Sequence, residues 1–136
     1  MFSLIIIGGP ASNNIEKEIT QLTGIKSIKI DYKIFPDGES YIRFPLKIKD
    51  DTVILVQSLF PPQDKHLTEL FLMIDTAYDL GAKEVAVVVP YMAYSRQDKR
   101  FLEGEAISIK TILKIIEKLG AKYFVTVDIH KEESLD

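Results

Sequence analysis

Ser95–Arg100, SRQDKR, places two arginines, a lysine, a glutamine and an aspartate in one short run. Arginine offers a planar fork that matches phosphate, and lysine a mobile point charge. Glutamine can read an amide-like base edge. On a loop this mix suits a polyphosphate that carries a base; the plain alternative is a solvated basic turn. Further along, Val127–His130, VDIH, sets Asp128 and His130 two residues apart. In an extended segment that spacing projects both to one side. Such a pair can hold a divalent cation directly or through water, and Mg2+ would favour the oxygen donor, with His130 reached through water. The alternative is an Asp–His hydrogen bond with no metal. A third stretch, Phe35–Ser40, reads FPDGES. Pro36-Asp37-Gly38 is a turn with a mechanism: proline fixes φ, aspartate caps and glycine takes positive φ. Phe35 and Glu39 exceed what a turn requires. An exposed aromatic beside two carboxylates can stack on a purine and accept hydrogen bonds from its amine.

Other features invite a plainer reading. IIIGGPAS lacks both the G-x-G-x-x-G spacing and a Gly-Lys-Ser/Thr triplet, so Gly8 and Gly9 are expected to make a tight strand-to-helix turn. His66 is expected to be a surface histidine at a helix terminus. The helix SNNIEKEITQLTG is expected to be purely structural.

The elements that must position these groups alternate in type. SLIIIGG, DDTVILVQS and EVAVVVP read as buried strands, with SIKID a short strand and YFVTVDIH a last one. ESYIRFPL alternates, with Ile42, Phe44 and Leu46 to one side, Tyr41 and Arg43 to the other, and Pro45 marking an edge or an end. Three helices are expected. The first is capped by Ser12 or Asn13, faces inward with Ile15, Ile19 and Leu22, and ends at Gly24. The second follows PPQDK, with Asp64 as cap, an apolar stripe of Leu67, Leu70, Phe71, Ile74, Ala77 and Tyr78, and a stop at Gly81. The third, AISIKTILKIIEKLG, turns Ile109, Ile112, Leu113, Ile116 and Leu119 inward. Apolar strands alternating with amphipathic helices predict an α/β fold: a parallel twisted sheet with helices on both faces. Ligands of such sheets sit at the carboxyl ends of the strands. The SRQDKR loop and the Asp128–His130 pair both fall there.

Composition bounds the rest. With 136 residues, the chain can form one domain with a real core. It has no cysteine, which removes disulfides, thiolate catalysis and thiolate zinc sites. A net charge of −3 lacks the footprint of a general nucleic-acid binder. Apolar runs are too short for a membrane span, and LIIIGGP has no basic leader. A cytoplasmic protein is expected, with neither nucleic acid nor membrane as partner.

FPDGES, PYMAYSRQDKR and VTVDIH, in this order and spacing, resemble the amino-terminal half of ribose-phosphate pyrophosphokinases, the synthetases of phosphoribosyl pyrophosphate, and the archaeal branch in particular. EAISIKTIL resembles the segment after the family's Arg-Gln-Asp-Lys motif, so the likeness covers almost the whole chain. The resemblance implies a phosphoribosyltransferase-like fold and transfer of the β,γ-diphosphoryl group of Mg-ATP to C1 of ribose 5-phosphate, giving phosphoribosyl pyrophosphate and AMP. It implies that Phe35 stacks on adenine, with Asp37, Gly38 and Glu39 in the same loop, often across a subunit boundary. Arg96 and Gln97 would bind ATP, Lys99 and Arg100 would help on the phosphates, and His130 with Asp128 would lie at Mg2+. A homo-oligomer, at least a dimer, follows from the same likeness.

Two departures from the family pattern stand out. After VDIH this chain has KEESLD in place of a Gln-rich, Gly-Phe-Phe stretch. The ribose-5-phosphate loop, with paired aspartates and Thr-Gly-Gly, and the flexible-loop Lys and Arg are missing. Residues 1–136 are therefore expected to be one ATP-binding half, inactive alone, with no catalytic residue of its own and with the carboxy-terminal ribose-5-phosphate domain absent. A non-catalytic, synthetase-associated regulatory subunit is the alternative; a generic nucleotide-binding module is a third reading. The regulatory reading predicts loss of motif residues, and all are present. The generic module leaves three ordered motifs unexplained.

Overall fold

A computed structural model describes residues 3–128, and of Asp128 the backbone only. In chain order the elements are β1 (Leu4–Gly8), α1 (Ile15–Thr23), β2 (Ser27–Lys29), β3 (Asp31–Ile34), β4 (Ser40–Arg43), β5 (Thr52–Val56), α2 (Gln63–Asp79), β6 (Glu84–Tyr91), α3 (Ser108–Lys118) and β7 (Ala121–Asp128). The main sheet has five parallel strands in the order β2-β1-β5-β6-β7. β3 and β4 form a separate antiparallel hairpin.

The strand order reverses between β1 and β5. The connection through α1 runs one way across the sheet and those through α2 and α3 run the other. Right-handed crossovers therefore put α1 on one face and α2 with α3 on the opposite face. The register agrees: Ile5, Ile7, Val53, Leu55, Val85, Val87 and Val89 share one core with Leu70, Ile74 and Ala77 of α2 and Ile109, Ile112 and Ile116 of α3. The 3.6-residue periodicity of α2 and α3 thus predicted the right faces.

The other face is covered unevenly. Over β1 and β2 it carries α1. Over the far edge, Tyr123, Val125 and Val127 of β7 are 56%, 51% and 82% exposed, and Ala86 and Val88 beside them are half-buried.

Several local expectations need correcting. SIKID is not one strand: Ile30, 2% exposed, sinks into the core and the chain changes sheets there, from β2 to β3. Leu22 does not face inward but is 87% exposed, because α1 overlies only the narrow β1–β2 end, and Glu16 is its buried residue. Neither Ser12 nor Asn13 caps α1; its N-cap is Asn14, in the left-handed region, without a side-chain bond. Asp64 does not cap α2, since it is already the second helical residue after the N-cap Pro62.

Candidate functional site

The loop after β6 opens at the carboxyl rim, as the strand polarity requires. Together with the first turn of α2 it forms an open cavity of about 710 Å³, whose walls include Asp64, Lys65, Tyr91, Tyr94, Arg96 and Gln97. That volume suits a ligand of nucleotide size. No side-chain hydrogen bond caps the N-terminus of α2, and its first-turn residues Gln63, Asp64 and Lys65 line the same space, at the positive end of the helix dipole. Arg96 is exposed there, and among the described residues no salt bridge engages it. A guanidinium with no salt bridge among the described residues, beside an uncapped helix start, is an arrangement for binding an anion.

Tyr94 shapes the wall. Its φ is 66°, in the left-handed region that an aromatic residue rarely adopts. In this pose its hydroxyl donates to Asp64 Oδ1. That bond, more than desolvation, pushes the Tyr94 phenol above its ordinary range. Gln97 is held from the other side: Ser108 Oγ donates to its side-chain oxygen at 2.6 Å, fastening the loop to the start of α3.

The rest of the basic run points elsewhere. Lys99 Nζ lies 5.1 Å from the Phe101 ring centre. Arg100 Nε donates to Glu105 O at 2.7 Å, while Glu105 Oε1 accepts the Phe101 and Leu102 amides. Arg100 lines a separate cleft with Lys110 and Lys114. Neither Lys99 nor Arg100 is among the residues lining the Arg96 cavity.

FPDGES forms the turn between β3 and β4. Phe35 N donates to Glu39 O and Gly38 N to Phe35 O, both at 2.8 Å, and Glu39 N donates to Asp37 Oδ1 at 3.2 Å. Gly38 has φ 99°, the reason glycine stands there. Phe35 is 38% exposed, its ring edge-on to Tyr41 at 5.7 Å. Lys33 Nζ lies 5.1 Å from the Phe35 ring and 5.0 Å from that of Tyr41. An aromatic face and two carboxylates are thus gathered on the hairpin tip. None of Phe35, Asp37, Gly38 and Glu39 lines the Arg96 cavity of the same chain.

Asp128 ends β7 in register with Tyr91, a residue of the cavity wall. Its backbone is therefore on the expected rim. His130 lies outside the described residues. Among the described residues no three His, Asp or Glu side chains gather as a metal site.

Buried polar groups at the same rim escaped the sequence reading. His66 is not a surface residue: it is 6% exposed, with Nδ1 2.6 Å from Phe60 O. Glu69 and Gln57 are fully buried. Gln57 Oε1 accepts the Ala11 amide at 2.7 Å, and its Nε2 donates to His66 O at 3.2 Å and to Glu69 Oε1 at 3.3 Å. Glu16 is buried against β1, accepting from Ser12 Oγ at 2.7 and 2.9 Å, while Lys29 Nζ donates to Ser12 Oγ at 2.9 Å. Burial lowers the Lys29 pKa, with Glu16 pulling it the other way. Gly8 and Gly9 serve close approach here. A Cβ at Gly8 would fall 1.9 Å from Glu16 Oε2, and one at Gly9 2.5 Å from Gln57 Oε1. Carboxylates inside amphipathic helices were the one available signal. Periodicity assigns such residues to solvent, so it missed them.

Comparison with known proteins bears on this geometry. Residues 4–120 match the family described as the N-terminal domain of ribose phosphate pyrophosphokinase. A ribose-phosphate pyrophosphokinase of Saccharolobus solfataricus is 55% identical over 132 residues, 97% of this chain and 45% of that protein. One from Pyrococcus furiosus is 39% identical, over 97% of this chain and 46% of its own length. The crystal structure of phosphoribosylpyrophosphate synthetase from Mycobacterium smegmatis superimposes with a TM-score of 0.86 at 25% identity, covering 97% of this chain and 44% of that one. The chain thus spans about half the length of the relatives it matches.

Proposed function

From the premise that the chain belongs to the ribose-phosphate pyrophosphokinase family, as its amino-terminal domain, we propose that it supplies the ATP side of a ribose-phosphate diphosphokinase. In that reaction the C1 oxygen of ribose 5-phosphate bonds to the β-phosphorus of ATP. The bond from that phosphorus to the oxygen bridging toward the α-phosphorus breaks, and AMP leaves with the bridging oxygen. Negative charge grows on the transferred group and the leaving oxygen, so positioning and charge neutralisation are the chief demands on the protein.

The observation that carries this reading is Arg96, without a salt-bridge partner among the described residues, in a nucleotide-sized cavity against the uncapped start of α2. Arg96 takes the phosphates, and Gln97 stays braced by Ser108. Phe35 stacks on adenine, and Asp37 and Glu39 accept from its amine. These hairpin residues lie outside the Arg96 cavity of their own chain, so a second copy completes the adenine site and the working protein is a homo-oligomer. Lys99 and Arg100, outside the Arg96 cavity in this structure, carry further positive charge on the same loop for the phosphates. Asp128, whose backbone lies on the rim beside Tyr91, would be the residue to supply the oxygen donor that Mg2+ prefers, with His130 nearby in sequence. Mg2+ bound with ATP would offset phosphate charge. The ribose-5-phosphate side comes from sequence outside this chain, and the chain alone is inactive. No described helix is long and apolar enough to cross a membrane, and we place the protein in the cytoplasm.

The test is Arg96→Ala. Loss of a charge-assisted contact to phosphate should weaken Mg-ATP binding about ten- to a hundredfold by calorimetry. Unchanged affinity would sink the assignment.

A further inference from the structure

Among the fully buried polar groups at this rim is the Glu69 carboxylate. It is fully buried in α2, where the apolar stripe would accept a leucine. A carboxylate there is costly unless its oxygens are satisfied, and they are. Oε2 accepts from Ser40 Oγ at 3.1 Å and pairs with Lys65 Nζ at 3.5 Å, while Oε1 accepts from Gln57 Nε2 at 3.3 Å.

The partners come from different parts of the proposed site. Ser40 follows Glu39 directly and pairs with Ile34 across the base of the Phe35–Glu39 turn. Lys65 is in the wall of the Arg96 cavity. Gln57 directly follows β5 and reaches on to Ala11 and His66. One carboxylate therefore touches both the root of the aromatic hairpin and the wall of the anion cavity. An apolar residue of the same size would fill the space, but nothing in it would prescribe the angle of the hairpin.

We propose that Glu69 is a positioning residue that acts through Ser40, holding the hairpin at the angle that presents Phe35, Asp37 and Glu39 to the adenine base. The inference rests on the ATP reading above. It holds whichever copy's cavity receives the phosphates, because Glu69 sets the pose of the hairpin on its own body. Its consequence is selective. The base should lose its place when the link is cut, while the phosphates, held at Arg96, should not.

The experiment uses the whole protein that carries this chain, in its natural assembly. Calorimetry compares Mg-ATP with Mg-tripolyphosphate, which has the phosphates and no base. The variants are Glu69→Gln, which removes the charge, and Ser40→Ala, which cuts the link while the buried charge stays and keeps Lys65 and Gln57 as partners. Ser40→Thr restores the hydroxyl. The expected result is about a tenfold loss of ATP affinity for Glu69→Gln and Ser40→Ala, tripolyphosphate affinity unchanged in Ser40→Ala, and recovery with Ser40→Thr. Equal loss of both ligands in Ser40→Ala would mean that Glu69 merely supports the cavity, and no loss of either would mean that the link is idle; both overturn the inference. Failure of the unmodified protein to bind ATP would overturn the ATP reading itself, before any variant is compared.

Discussion

Tyr94 accepts a left-handed backbone, φ 66°, and its hydroxyl donates to Asp64 across the mouth of the cavity. The acceptor stabilises the protonated phenol, so the folded-state pKa lies above the ordinary value. A proton bound more tightly in the folded than in the unfolded chain stabilises the fold below tyrosine's usual pKa of about 10. That contribution is lost as pH rises through the raised value. In an alkaline titration followed at 295 nm, the wild type minus Tyr94→Phe difference should isolate one phenol ionising late. Asp64→Asn should bring it back toward the ordinary range. A difference curve centred on the ordinary value would show that the hydroxyl is not held by Asp64. Residue types here were legible in the sequence, but pairings were not. Asp64 looks like a helix cap until the helix start is seen to fall before it, which turns its side chain toward the loop.

At the scale of elements, the seating of α1 on β1 depends on a glycine. The Glu16 carboxylate occupies the space that a side chain at Gly8 would need, with a Cβ falling 1.9 Å from Oε2. Gly8→Ala should therefore cost about 1–3 kcal/mol by overpacking. The readout is a lower urea midpoint with an unchanged m-value. An unchanged midpoint would mean that Glu16 moves aside freely. The helices that the sequence described best, α2 and α3, lie on the broad face of the sheet, where an apolar stripe is required along their length. α1 overlies the short β1–β2 end and buries a carboxylate, so its leucine at position 22 is left in solvent. The FPDGES turn was readable because proline, aspartate and glycine impose backbone geometry locally.

The whole molecule is an α/β domain about half the length of its relatives, with Tyr123, Val125 and Val127 of β7 left exposed on one sheet face among the described residues. If it supplies only the ATP side, Mg-ATP given to this chain alone should release no AMP on adding ribose 5-phosphate. Supplying the carboxy-terminal half of a full-length relative in trans should start release. Ribose-phosphate-dependent AMP from the chain alone would show that it carries both sides. The sequence by itself determined the alternation of strands and helices, the inward faces of α2 and α3, and the motifs by which the family is known. Each of these depends on residues a few positions apart. Only the tertiary structure decided that the strand order reverses between β1 and β5 and that β7 exposes Tyr123, Val125 and Val127 among the described residues. It alone brought together Ser40 and Glu69, 29 positions apart, Tyr94 and Asp64, 30 apart, and Ala11 and Gln57, 46 apart. Local periodicity reports which side of an element meets apolar surroundings. Which distant polar groups share a buried space follows from the direction of each crossover and the register of the sheet, and no short window of sequence contains either.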